Sequence, residues 1–264
     1  MHFPLRHLLV ASFMLLAACS LGEGAQRQTL TVYAAASLSG AFAEIAEQYE
    51  WEHPGVSVRL NLGGSQQLAQ QLVQGAPADL FASANTEQMR VAQEAGRVAP
   101  GTEVLFATNR LVVITPPGGT EVDTLVDLVR PGVRVILADE AVPAGRYARA
   151  FLMRAGVAGG LGDDYEKNVL GNVVSYEQNV RAVLTKVALG EADAGVVYES
   201  DALAGDVGRI AIPAELNVVA SYAIAPVADG AEANAASFIA FVLSPRGQAI
   251  LASYGFGAVT GMES

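Results

Sequence analysis

The stretch Thr31-Val-Tyr-Ala-Ala-Ala-Ser37-Leu-Ser-Gly-Ala-Phe-Ala-Glu-Ile-Ala46 constrains the fold more than any other, because the rest of the chain repeats its plan. A short run with β-branched and aromatic residues passes through three alanines to Ser37. Leu38, Ala41, Phe42, Ile45, Ala46 and Tyr49 then recur at the spacing of one helix face. The order is strand, small-residue turn, serine, helix. It leaves a hydroxyl and unpaired backbone N–H groups at a helix start, where the partial positive charge favours an anion. The plainer reading is that Ser37 only caps its helix.

The plan returns along the chain. Gly55–Leu62 alternates as a strand and ends at Gly63-Gly64-Ser65, after which Leu68, Ala69, Leu72 and Val73 mark a helix stopped by Gly75 and Pro77. Ala78–Ser83 reads as a buried strand, Thr86–Ala95 as a helix and Arg110–Thr115 as a strongly apolar strand. Pro116-Pro117-Gly118-Gly119 is the expected crossing to a second lobe. There Val133–Leu137 is a strand, and the Ala138–Gly145 loop leads to a helix carrying Tyr147, Ala148, Phe151 and Leu152. Pro143 suits a first helical turn, and Gly145 would let a ligand approach the backbone. Asn172–Ser175 is a strand, Asn179 is a helix cap, and Ala194–Tyr198 is a further strand. Val218–Ala225 is the expected return, followed by two terminal helices. Alternating strands and helices imply α/β sheets with right-handed crossovers, and two lobes joined by two crossings place a ligand in the cleft at the strand ends.

The N-terminus stands apart. Residues 1–18 combine a basic start (Arg6) with an apolar stretch from Leu8 to Leu16 that is too short for a stable membrane span. They read as a secretory signal. The segment ends Leu16-Ala17-Ala18-Cys19, and Cys19 is the only cysteine, which excludes an intramolecular disulfide and a thiolate zinc cluster. Residues 19–28 form a small polar tether. Removing 1–18 takes Arg6 and no acidic residue, so the net charge of −11 becomes −12, a poor match for nucleic acid or an anionic membrane surface.

Catalysis is poorly supplied. His2 and His7 leave with the signal, so only His53 remains as a base for a serine nucleophile such as Ser37 or Ser65. Gly63-Gly64-Ser65 lacks the spacing and lysine of a nucleotide phosphate loop. Glu199 and Asp201 read as a solvated helix start. The remaining rivals to an anion receptor are a secreted hydrolase and a scaffold lipoprotein.

Ala34-Ala-Ala-Ser37-Leu38, Ser65 with Gly75-Ala-Pro-Ala-Asp79-Leu-Phe81, Val142-Pro-Ala144-Gly145, Asn179-Val180-Arg181 and Gly195-Val-Val-Tyr198-Glu-Ser-Asp-Ala202 together resemble the molybdate-binding proteins of bacterial ABC importers. The resemblance runs from about Leu30 to Gly257. It implies a type II periplasmic-binding-protein fold: α/β, with two lobes, each a mixed, mostly parallel sheet flanked by helices, joined by two crossover strands. Lobe 1 is then 29–110 plus 221–264, and lobe 2 is 111–220. It implies a molybdate site, serving tungstate also, made by Ser37, Ser65, Ala144, Val180 and Tyr198. Hydroxyls and backbone N–H groups would be the donors, with no residue bonded to the metal and no cofactor. Sulfate or another tetrahedral oxyanion is the alternative ligand. Leu16–Cys19 resembles a lipobox, implying a lipidated Cys19 and a periplasmic or extracytoplasmic, membrane-anchored monomer that delivers its anion to a permease. Two departures stand out: Gly63-Gly64 replaces more polar residues before Ser65, and the lipobox replaces a simple cleavable signal.

Overall fold

The computed structural model describes residues 27–259. The expected signal 1–18, Cys19 and most of the 19–28 tether therefore lie outside the described residues. The chain begins with β1 (Gln28–Ala35), a 3-10 turn (Ala36–Leu38), α1 (Ser39–Glu52), β2 (Val56–Gly63), α2 (Ser65–Val73), β3 (Leu80–Ser83), α3 (Thr86–Glu94) and β4 (Val104–Asn109). A second series follows: β5 (Leu111–Thr115), β6 (Val135–Ala138), α4 (Pro143–Val157), α5 (Tyr165–Gly171), β7 (Val173–Glu177), α6 (Val180–Ala188), β8 (Ala194–Tyr198), α7 (Glu199–Leu203) and β9 (Gly208–Ala211). The chain then returns through β10 (Ala220–Pro226), α8 (Glu232–Leu243) and α9 (Pro245–Ser253).

Two five-stranded sheets result, ordered β2-β1-β3-β10-β4 and β7-β6-β8-β5-β9. They share one pattern. In the first, β1 pairs parallel with β2 and β3, while β10 runs antiparallel between β3 and β4. In the second, β6 pairs parallel with β7 and β8, while β5 runs antiparallel between β8 and β9. The antiparallel strand of each sheet is the one by which the chain arrives from the other. This is the mixed, helix-flanked, two-lobed α/β architecture expected from the alternation of elements.

Side-chain alternation along β1 explains how the first sheet is covered on both faces. Leu30, Val32 and Ala34 pack into the cluster that holds Phe42, Ile45 and Phe238, from α1 and α8. Tyr33 points the other way, into a cluster with Leu68 and Leu72 of α2 and Met89 of α3. Helix ends follow local chemistry: Gly75 (φ 87°) and Gly190 (φ 75°) take the left-handed conformation just beyond α2 and α6.

The first crossing corrects one expectation. β4 was not legible as a separate strand, because its apolar run Val104–Asn109 is divided from β5 only by Arg110. The chain passes between the sheets there, and Pro116–Gly119 is a turn after β5, inside the second lobe. Asn217, on the return path, ties the two crossings together. Its Nδ2 donates to the Leu111 carbonyl at 2.8 Å, and its Oδ1 accepts from the Leu111 N–H at 3.0 Å. Asn217→Ala leaves both backbone groups of Leu111 buried without these partners. It is expected to cost about 2–4 kcal/mol of stability, read as a lower denaturant midpoint at unchanged slope; an unchanged midpoint would remove Asn217 from this role.

Candidate functional site

A small cavity lies between the lobes, lined by Ala35, Ala36, Ser37, Gly63, Gly64, Ser65, Ala84, Val142, Pro143, Ala144, Asn179, Val180 and Tyr198. All five residues singled out from the sequence, Ser37, Ser65, Ala144, Val180 and Tyr198, are on its wall. Its volume is about 10 Å³, on a measure by which one enclosed water takes roughly 10–15 Å³.

Three α-helices start at this wall. Ser65 opens α2, Pro143 and Ala144 open α4, and Val180 opens α6. The first N–H groups of a helix have no partner within it, and each helix start carries about half a positive charge. Asn179 caps α6 by accepting from the Ala182 N–H at 3.0 Å, which leaves the N–H groups of Val180 and Arg181 without an intrahelical acceptor. No Asp, Glu, Lys, Arg or His lines the cavity. The available donors are neutral hydroxyls and backbone amides.

The hydroxyls are held by residues far away in sequence. Ser37 sits in the 3-10 turn before α1 and does not cap a helix: its Oγ lies 2.8 Å from the Tyr222 hydroxyl. Tyr222 comes from β10, where the register against β4 shifts at Tyr222/Ala223; such bulges re-aim side chains. Ser65 Oγ accepts from the Ala84 N–H at 3.0 Å, so its own proton is free for another acceptor. Tyr198 is 1% exposed, its ring meets that of Tyr222 edge-on at 5.9 Å, and among the described residues its hydroxyl has no hydrogen-bond partner. Burial pushes the Tyr198 hydroxyl well above its ordinary pKa, with Tyr222, Tyr147 and Asp201 adding to the shift. It stays a neutral donor. Tyr222 and Ala84 were missed by sequence reasoning, because nothing local in β10 or after β3 marks them as neighbours of a serine.

Two glycines are explained by close approach. A Cβ on Gly145 would lie 2.1 Å from the Asp139 carbonyl oxygen and 2.4 Å from that of Ala138. This glycine therefore seats α4 on the end of β6, which corrects the expectation that it admits a ligand. A Cβ on Gly64 would lie 2.5 Å from the Gln178 carbonyl oxygen, across the cleft. Gln66 Nε2 donates to that carbonyl at 2.9 Å, and Gln67 Nε2 to Gln178 Oε1 at 2.6 Å. Arg146 pairs with Glu87 from the opposite lobe. His53 is occupied elsewhere, stacked on Tyr49 at 4.0 Å with Nδ1 on the Tyr49 carbonyl. Among the described residues, no group of three or more His, Cys, Asp or Glu could hold a metal ion.

The model of bacterial extracellular solute-binding proteins matches residues 30–257. The chain belongs to this family. It is 40% identical over 233 residues to the molybdate-binding protein ModA of Mycobacterium tuberculosis, covering 87% of this chain and 84% of that one. It is 31% identical to the molybdate-binding protein ModA of Escherichia coli, covering 86% and 88%. The fold is shared with the periplasmic molybdate-binding protein of Azotobacter vinelandii, at a TM-score of 0.73 and 24% identity, covering 88% and 100%.

One charged pair backs the site of this solute-binding protein. Asp201 was read as a solvated helix start; Glu199 is exposed, but Asp201 is fully buried, and among the described residues neither of its carboxylate oxygens has a hydrogen-bond partner. Arg181 Nε lies 3.3 Å from Asp201 Oδ1. Burial raises the Asp201 pKa from 3.8 to about 7, against the opposing pull of Arg181. Between those two values the folded protein holds a proton that the unfolded chain releases. The stability contributed by this proton is complete below pH 3.8 and is lost as pH rises through about 7. The wild type should therefore gain thermal stability relative to Asp201→Asn as pH is lowered from 8 to 5. A difference between them that does not change with pH would reject this.

Proposed function

We propose that the protein captures a fully deprotonated tetrahedral oxyanion, molybdate with tungstate as its analogue, and delivers it to the permease of an ABC transporter. Lobe 1 (29–110 plus 221–264) and lobe 2 (111–220) are the bodies that close on it. The hydroxyls of Ser37, Ser65 and Tyr198 and the backbone N–H groups at Ala144 and Val180 are the donors. The observation that carries this reading is the unpartnered, buried Tyr198 hydroxyl on an uncharged wall where three helices start. A buried hydroxyl without an acceptor costs about 1–3 kcal/mol, and an enclosed anion supplies one. The wall has no carboxylate to receive a proton from a protonated phosphate, so a dianion that carries no proton is the better guest. Kinship with molybdate-binding proteins supports the same ligand.

Magnitudes agree. Hydrogen bonds to a charged group contribute about 1.5–3 kcal/mol each, so five give on the order of 7–15 kcal/mol before association costs of several kcal/mol. With an association cost of about 4 kcal/mol, on the order of 3–11 kcal/mol remains, a range whose upper end reaches about ten-nanomolar binding. The net charge of −12 left after removal of residues 1–18 slows capture little, since screening acts over about 8 Å at physiological salt. The reading is of a receptor and not an enzyme: Ser37 and Ser65 bond Tyr222 and Ala84, with no histidine beside them.

Isothermal titration with molybdate, tungstate, sulfate and phosphate tests the ligand. Heat from molybdate and tungstate is expected, with sulfate at least about tenfold weaker, a difference of 1.4 kcal/mol. Clear sulfate heat without molybdate heat would replace the ligand by the smaller oxyanion. Tyr198→Phe should weaken molybdate binding by about tenfold or more while the protein stays folded; unchanged affinity would take Tyr198 out of the site. The proposed membrane anchor is a diacylated Cys19 exposed by signal cleavage. Its test is the intact mass of the membrane-fraction protein, which should carry the added acyl mass.

A further inference from the structure

We infer that Arg181 is a positioning residue that latches the second lobe to Ser39 of the first once an anion is enclosed; this rests on the receptor reading above. Arg181 follows Val180 in the first turn of α6, and Ser39 opens α1, two residues beyond Ser37. Nη2 and Nε of Arg181 both donate to Ser39 Oγ, at 2.7 and 3.1 Å. These bonds join helices of different lobes, so they form only when the lobes meet.

Other contacts across the cleft are weaker candidates. Gln66 and Gln67 reach Gln178 at an exposed rim, and Arg146 and Glu87 keep 46% and 34% of their side-chain surface exposed. Water competes there, and exposed pairs contribute little. Arg181 is 28% exposed, and its Nε lies 3.3 Å from Oδ1 of Asp201, which is 0% exposed. Among the described residues, Asp201 forms its one salt bridge with Arg181. The planar fork places two N–H groups on one oxygen, a geometry that an ammonium cannot copy. A contact made after encounter governs how long the anion stays, not how fast it enters.

Ser39→Ala is the cleanest variant. It removes the acceptor, suits a helix and leaves Arg181 on Asp201. The test compares wild type, Ser39→Ala, Arg181→Gln, Arg181→Lys and the Ser39→Ala/Arg181→Gln pair, by stopped-flow association and dissociation of molybdate. Each of the first two substitutions should speed release by about ten- to a hundredfold with the association rate unchanged. The pair should release no faster than Arg181→Gln alone, and Arg181→Lys should restore only part of the retention. An unchanged release rate in Ser39→Ala, or effects that multiply in the pair, would overturn the latch. Should the wild type take sulfate in place of molybdate, the ligand assignment fails, and the same cycle run with sulfate decides the latch separately. A wild type that binds neither anion overturns both.

Discussion

Every helix begins with backbone N–H groups that its own carbonyls cannot reach, and here three such starts share one uncharged wall. α2 comes from the first lobe, α4 and α6 from the second. Neither lobe alone assembles the set. The surrounding structure serves that arrangement. Gly145 lets α4 settle against the end of β6, Asn179 caps α6, and Tyr222 reaches from β10 to hold the Ser37 hydroxyl. Charge is kept off the wall: no Asp, Glu, Lys, Arg or His lines it, and Arg181, next to Val180, faces the buried Asp201.

Gly64 shows how closely the lobes approach. Its backbone angles (φ −62°, ψ 134°) suit any residue, so the need for glycine comes from the Gln178 carbonyl facing it. A methyl group there would press on the Gln178 carbonyl and on the Gln66 amide that donates to it. The contact between the lobes is thus adjustable at a position outside the five candidate donors.

Local pattern was enough for most elements. The stripe from Leu38 to Tyr49 became α1, and Asn179 caps its helix as read. Reasoning failed where the deciding partner lies far along the chain. Ser37 looked like a cap because serine often is one, but its oxygen is engaged by Tyr222, 185 residues away. Asp201 looked solvated because acidic residues favour first turns, yet the short α7 is folded inward against Arg181. Pro116–Gly119 drew attention as strong punctuation, while the true crossing turns on Arg110 alone. The five candidate donors were named together only through resemblance; spacing offered no reason for Ser37, Ser65, Ala144, Val180 and Tyr198 to line one cavity.

The shared strand order of the two sheets bears on the order in which the chain folds. All strands of the second sheet lie between Leu111 and Ala211, an unbroken segment. The first sheet keeps a gap between β3 and β4 until β10 arrives with residues 220–226. Its pairing spans most of the sequence, and such long-range closure is slow. A chain emerging from its N-terminus therefore holds every strand of the second sheet before it holds the strand that seals the first.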